Sequence, residues 1–143
     1  GDDGDFDALC QQLHRYQATL RTCFTLENFD NLIKNGRMRP IVGTLLRSLG
    51  IHIIADATAE GTIHVADKAR GVGKTYRAIT ALMKASKDCT DAEVVISHCE
   101  NLEGAMALKR QILADLPVKQ VDLLSCRGLT SFYAMEKGLI VGY

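Results

Sequence analysis

The chain has no excess of either charge: 17 Lys and Arg stand against 17 Asp and Glu, for a formal net charge of zero. A nucleic-acid-binding domain shows a basic excess or stripe, so nucleic acid is not an expected partner. No apolar run is long enough to span a bilayer, so no transmembrane segment is expected, and no signal peptide is read ahead of the fold. The five cysteines (Cys10, Cys23, Cys89, Cys99 and Cys126) are odd in number, and none forms a Cys-x-x-Cys pair. That weighs against a disulfide framework and against zinc-ligand spacing. Reduced thiols in a cytoplasmic protein are the expectation. No Gly-x-Ser-x-Gly elbow is present, and the residues show no catalytic constellation. The expectation is a protein that is not an enzyme and carries neither cofactor nor metal.

What is present is ordinary for a globular domain: 143 residues, 47% apolar and 24% charged, enough for a single core. The opening Gly-Asp-Asp-Gly-Asp reads as a cut end, so a fragment of a longer protein is expected. Phe6, Leu9, Leu13, Tyr16 and Leu20 recur at three- and four-residue steps, which predicts an amphipathic helix over 6–20 with one buried stripe and Asp5 as N-cap. A short strand is read over 21–26, then a helix over 27–34 with Phe29, Leu32 and Ile33 inward, ended by Asn35-Gly36. Pro40 suits a first helical turn, and a helix over 40–49 is expected, stopped by Gly50.

Strands over 51–55 and 62–66, joined by a turn at Ala59-Glu60-Gly61, predict a β-hairpin. Gly71-Val72-Gly73 leads into a helix over 74–87. A buried strand over 94–97, a helix over 102–116 closed by Pro117, a strand over 118–124 and a final short strand over 138–143 complete the pattern. Strands alternating with helices predict a layered α/β domain. No internal repeat or low-complexity segment is evident.

Several motifs invite chemistry. Gly71-Val72-Gly73-Lys74-Thr75 resembles the end of a nucleotide-binding P-loop. The full pattern needs a glycine five residues before its Gly-Lys-Thr, so that backbone N–H groups wrap the phosphates. Lys68 holds that position here, and the loop reads as a glycine-rich helix entry. Arg70, with Lys68 and Lys74, reads as a basic strand-to-helix corner where the helix end adds positive field. On residue type alone a solvated turn is the simpler account. Arg37 and Arg39 flank Met38 after a helix-ending glycine; they read equally as recognition of a carboxylate or phosphate and as a capping or salt-bridging pair. Ser97-His98 suggests nucleophilic catalysis, but adjacent residues at a strand end point to opposite faces, so His98 reads as structural. Asn101 is an N-cap, and Ala105, Leu108, Ile112 and Leu116 form a core stripe.

Together, the Gly36-Arg37-Met38 corner, the Lys68-Ala69-Arg70 element before Gly71 and the strand–His–helix element over 94–101 resemble the C-terminal half of the DegV family of bacterial lipid-binding proteins. The resemblance covers nearly the whole chain. It implies an α/β lobe, with the N-terminal lobe absent. It also implies a non-catalytic carrier that binds a long-chain fatty acid in a tunnel and presents it to a fatty acid kinase subunit. The family's closing Gly-Thr-His-Thr-Gly-Pro-Gly-Ala-Leu-Gly stretch aligns with residues 131–140, where Tyr133 takes the place of the histidine near the fatty-acid carboxylate. Tyrosine donates a hydrogen bond but carries no positive charge.

The expected acyl wall is Ile41, Leu45, Leu46, Leu49 and Ile53. Arg37 and Tyr133 are the expected ligand-binding polar groups, and Lys68 and Arg70 the expected partner-binding residues. An exposed half-tunnel is a large apolar patch, so some dimerisation of the fragment is expected. Two rival readings stand beside the carrier: an interaction or regulatory lobe without its own ligand, and a small nucleotide-dependent enzyme resting on Gly73-Lys74-Thr75.

Overall fold

The structure, a computed structural model, describes residues 5–38, 50–58 and 62–143. Among them are five helices and six strands: α1 (Phe6–Thr19), β1 (Thr22–Leu26), α2 (Asp30–Lys34), β2 (Ile51–Ala57), β3 (Ile63–Arg70), α3 (Val72–Ser86), β4 (Glu93–His98), α4 (Leu102–Asp115), β5 (Gln120–Ser125), α5 (Gly128–Ala134) and β6 (Leu139–Gly142). The strands form one six-stranded sheet in the order β3-β2-β1-β6-β4-β5. Every pairing is antiparallel except β4 with β5, which α4 connects as a βαβ crossover. No helix among the described residues is long and apolar enough to cross a membrane.

Both faces of the sheet are covered, and the period-2 alternation of the strands decides which residues face which way. Cys23, Ile54, Ile96, Leu139 and Val141 point to one face, where Ile79 and Met83 of α3 and Leu108 and Ile112 of α4 pack on them. The α4 stripe is core as expected: Ala105, Leu108 and Ile112 are fully buried and Leu116 nearly so. Thr80 of α3 donates its hydroxyl to Asp115 Oδ2 at 2.7 Å, tying the two helices together. The opposite face carries Leu26, Ile53 and Ala55 under Phe29 and Leu32 of the α2 region and Ala134 of α5.

The expected element order holds over the described residues, with corrections. The hairpin strands are longer than read: β2 runs to Ala57 and β3 to Arg70, with a register shift at Ile54/Ala55. Lys68-Ala69-Arg70 is therefore the end of an edge strand, not a turn. The α1 stripe is not buried. Asp5 does cap the helix, accepting from the Asp7 N–H at 3.1 Å, but Phe6, Leu9, Leu13, Tyr16 and Leu20 are all exposed. Periodicity reports an amphipathic helix, not what covers it. Helix α5 went unread, because its seven residues, Gly-Leu-Thr-Ser-Phe-Tyr-Ala, are too few to show a period. The helix expected over 40–49 and the turn at Ala59-Glu60-Gly61 lie outside the described residues.

Candidate functional site

Two turns set the geometry on the second face. Gly36 (φ +68°) ends the α2 segment, and the Arg37 N–H donates back to the Leu32 carbonyl at 2.8 Å, fixing the start of the arginine side chain. At the other side, α5 ends at Met135, and Gly138 brings the returning chain against it. A Cβ at Gly138 would collide with the Ala134 carbonyl; only glycine permits this approach. The Asn101 side chain completes the arrangement by donating to the Lys137 carbonyl at 2.9 Å.

Between these turns lies a groove of about 310 Å³, lined among the described residues by Phe24, Leu26, Leu32, Ile63, Leu129, Ala134 and Ile140, with Arg37 and Tyr133 as the polar members. Tyr133 is half-buried and meets Phe132 edge-on, ring centroids 5.1 Å apart. Among the described residues neither the Arg37 guanidinium nor the Tyr133 hydroxyl has a hydrogen-bond partner. An apolar trough holding one cation and one phenolic donor can take an amphiphile with an anionic head.

The structure thus brings together two of the residues expected to bind ligand. Ile53 is 1% exposed and lies in the core beneath the groove rather than on its wall. Ile41, Leu45, Leu46 and Leu49 lie outside the described residues, as does Arg39. Lys68 and Arg70 are exposed at alternate positions of edge strand β3, on either side of buried Ala69. The groove residues that sequence reading missed, Phe24, Leu26 and Ile140 above all, come from strands; their alternation marks a face but not which face is open.

A second cavity, of about 270 Å³, lies on the α3/α4 side. Thr25, Glu27, His52, Thr75, Tyr76, Glu103 and Lys137 contribute to its lining. Burial pushes the Tyr76 phenol up, and the Glu103 and Glu27 carboxylates add to the shift. Among the described residues, buried Thr25 Oγ1 has no hydrogen-bond partner.

Neither catalytic motif gains support. Thr75 Oγ1 donates to the Gly71 carbonyl of its own helix at 3.0 Å, whereas a P-loop needs that hydroxyl for the magnesium ion. His98 is buried, and its Nδ1 accepts from the Asn101 N–H at 3.3 Å, a structural role as read. Asn101 caps α4 by accepting from the Gly104 N–H at 3.2 Å. No group of three or more His, Cys, Asp or Glu side chains among the described residues is placed to hold a metal.

Residues 1–139 match the family described as an uncharacterised protein of the DegV family. A DegV domain-containing protein of Streptococcus gordonii is 32% identical over 139 residues, covering 96% of this chain and 49% of the relative. The chain spans about half the length of the curated relatives it matches. Among solved structures, the Streptococcus pneumoniae Fatty Acid Kinase (Fak) B3 protein loaded with linoleic acid superposes with a TM-score of 0.87 at 32% identity, over 97% of this chain and 49% of that one. A DegV family protein from Eubacterium eligens loaded with heptadecanoic acid gives a TM-score of 0.89 at 27% identity, over 96% of this chain and 50% of that one.

Proposed function

The chain belongs to the DegV family, and on that premise we propose that it is a non-catalytic lobe of a carrier that binds a long-chain fatty acid. The observation that carries this reading is the apolar groove with Arg37 and Tyr133 on its lining. Apolar side chains take the acyl chain out of water, and each buried methylene contributes about 0.8 kcal/mol. The Arg37 guanidinium suits the carboxylate, and the Tyr133 hydroxyl donates the hydrogen bond that remains available when a family histidine is replaced. Two similar structures hold linoleic and heptadecanoic acid, which supports the same ligand class here. Ile41, Leu45, Leu46 and Leu49 are proposed as further acyl wall.

The partner is proposed to be a fatty acid kinase subunit, after the relative named for that kinase. Lys68 and Arg70, exposed on the open edge of the sheet, are the proposed contact. We place the carrier in the cytoplasm, the setting that an odd number of cysteines, none of them in a disulfide, fits best.

Native mass spectrometry of the protein purified from a bacterial host, with solvent extraction of bound small molecules, tests the reading. A stoichiometric fatty acid supports it. An empty protein that also refuses added oleate overturns it in favour of the interaction lobe. The exposed apolar face of α1 favours that second reading, in which the face holds a second copy or a partner. Dimerisation seen by ultracentrifugation, and lost in Leu9→Gln/Leu13→Gln, would support it.

A further inference from the structure

Cys99 and Cys126 stand next to each other on the groove face of the sheet. Strands β4 and β5 are parallel and in register from Glu93↔Gln120 to His98↔Ser125. The Cys126 N–H donates to the His98 carbonyl at 2.8 Å, which carries the ladder one step past the last strand pair, to the two cysteines. Val94, Ile96 and Val121 point to the α3/α4 core, so alternation turns residues 99 and 126 the other way, and both pack against the second core. Both are partly exposed, and both are free thiols. Neighbouring strands run about 4.8 Å apart, inside the Cα separation of about 4.4–6.8 Å that a disulfide spans. Burial, and to a lesser extent the adjoining Cys99, pushes the Cys126 thiol up.

Both cysteines also sit at a mechanical joint. The Cys99 N–H donates to the Gly138 carbonyl at 3.0 Å, and its own carbonyl accepts from the Lys137 N–H at 2.9 Å, so Cys99 holds the chain that leaves α5. Cys126 lies two residues before α5 begins, so it holds the chain that enters. Helix α5 supplies Leu129, Tyr133 and Ala134 to the groove.

We propose that Cys99 and Cys126 form a reversible dithiol–disulfide site, whose closure locks the entry and exit of α5 together and fixes one wall of the groove. The oxidant is a small-molecule disulfide of the glutathione class. One cysteine thiolate attacks a sulfur of that disulfide, forming a mixed disulfide and releasing one small thiolate. The second cysteine thiolate then attacks the protein sulfur of the mixed disulfide; the intramolecular S–S bond forms and the second small thiolate leaves. The two thiol protons end on the two released thiols. The protein gives up two electrons, and the small disulfide is reduced by them. Cys23 and Cys89 are 0% and 4% exposed, out of reach of a dissolved disulfide, and Cys10 is on α1.

The test is to incubate the folded chain with oxidised glutathione, block remaining thiols and map tryptic peptides without reduction. Lys109, Arg110 and Lys119 separate the two cysteines, so a link joins two peptides. The expected product is that linked pair, short of two hydrogens, lost on reduction and absent from Cys99→Ser. Cys89 shares the Cys99 peptide, so Cys89→Ser must retain the link. Amide exchange over 128–134 should slow at least about tenfold in the linked form. A stable mixed disulfide with no internal link, or no reaction at all, overturns the proposal. A link that leaves exchange in α5 unchanged overturns the lock.

Discussion

The Asn31 side-chain amide donates to the Phe132 backbone carbonyl at 2.7 Å, across 101 residues of sequence. This bond joins α2 to α5, the two short helices that frame the groove. Seven residues do not make a helix that is stable alone, so α5 depends on such tertiary ties. Asn31→Ala should destabilise the protein by about 1 kcal/mol. It should also raise amide exchange across 128–134 more than across α4, which hydrogen-exchange mass spectrometry reads directly.

If Arg37 and Tyr133 hold a carboxylate, their removal separates charge from hydrogen bonding. Tyr133→Phe keeps the ring and its contact with Phe132 but loses the hydroxyl, and oleate affinity should fall about three- to tenfold, roughly 1 kcal/mol. Arg37→Gln removes a charge-assisted bond and should lower affinity at least about tenfold. Titration calorimetry with oleate checks both, with circular dichroism confirming the fold. Arg37→Gln binding as tightly as the parent would remove the guanidinium from the site.

Stability should decline on the alkaline side through two buried groups of the α3/α4 core. Burial, aided by Asp56, pushes the Cys23 thiol from 9.0 up to about 12. Burial also pushes the Tyr143 phenol from 10.0 up to about 12, against the opposing effect of its hydrogen bond with Ser86. Each group holds its proton more tightly folded than unfolded. The stability they confer is therefore fully present below about pH 9 for Cys23 and below about pH 10 for Tyr143, and is lost progressively up to about pH 12. Each group can steepen the decline by up to about 1.4 kcal/mol per pH unit. Urea unfolding at a series of pH values under reducing conditions reads the slope, which Tyr143→Phe should flatten.

Identical residue types on two helices should respond very differently to substitution. Leu108 is fully buried in α4, and Leu13 is 51% exposed in α1. Leu108→Ala should cost about 2–5 kcal/mol. Leu13→Gln should change stability by less than about 0.5 kcal/mol while lowering binding of a hydrophobic dye. Denaturant midpoints decide the first and fluorescence titration the second.

Those two leucines show what the sequence could and could not reveal. Both lie on stripes of helical period, and the pattern alone reads each as core. The α4 stripe meets β4 and β5, neighbours its own βαβ unit supplies. The α1 stripe finds no such cover among the described residues. Edge strand β3 was half read, because Lys68 and Arg70 alternate with Ala69 in strand fashion while their charges suggest a loop. The groove was legible only at its polar points: Arg37 behind a helix-ending glycine, and Tyr133 where the resemblance implies a histidine. Its apolar wall joins residues of β1, β3 and β6 to Leu32 of α2 and to Leu129 and Ala134 of α5, and which strands meet there depends on sheet order, which no local pattern encodes.

The turn after α5 carries strain that glycine would relieve. Met135 adopts φ +52° with ψ −177°, and Lys137 adopts φ +66°. Side chains rarely enter these regions, and the extended positive-φ region of Met135 belongs almost entirely to glycine; each such residue stores on the order of 1–3 kcal/mol. The strain persists because the backbone around it is over-determined: Met135 N–H donates to the Ser131 carbonyl at 2.9 Å and Lys137 N–H to the Cys99 carbonyl at 2.9 Å. The Lys137–Glu27 ion pair, at 3.9 Å and about half exposed, offsets little of it. Met135→Gly and Lys137→Gly should therefore stabilise the protein by about 0.5–1 kcal/mol each, less than the strain because glycine adds entropy to the unfolded chain. Glycine inside a helix would do the opposite, so Ala107→Gly, in the middle of α4, is the control and should cost about 1 kcal/mol. A loss of stability at both turn positions, measured by the same urea titration, would mean that the Met135 and Lys137 side chains contribute more than their backbone strain takes away.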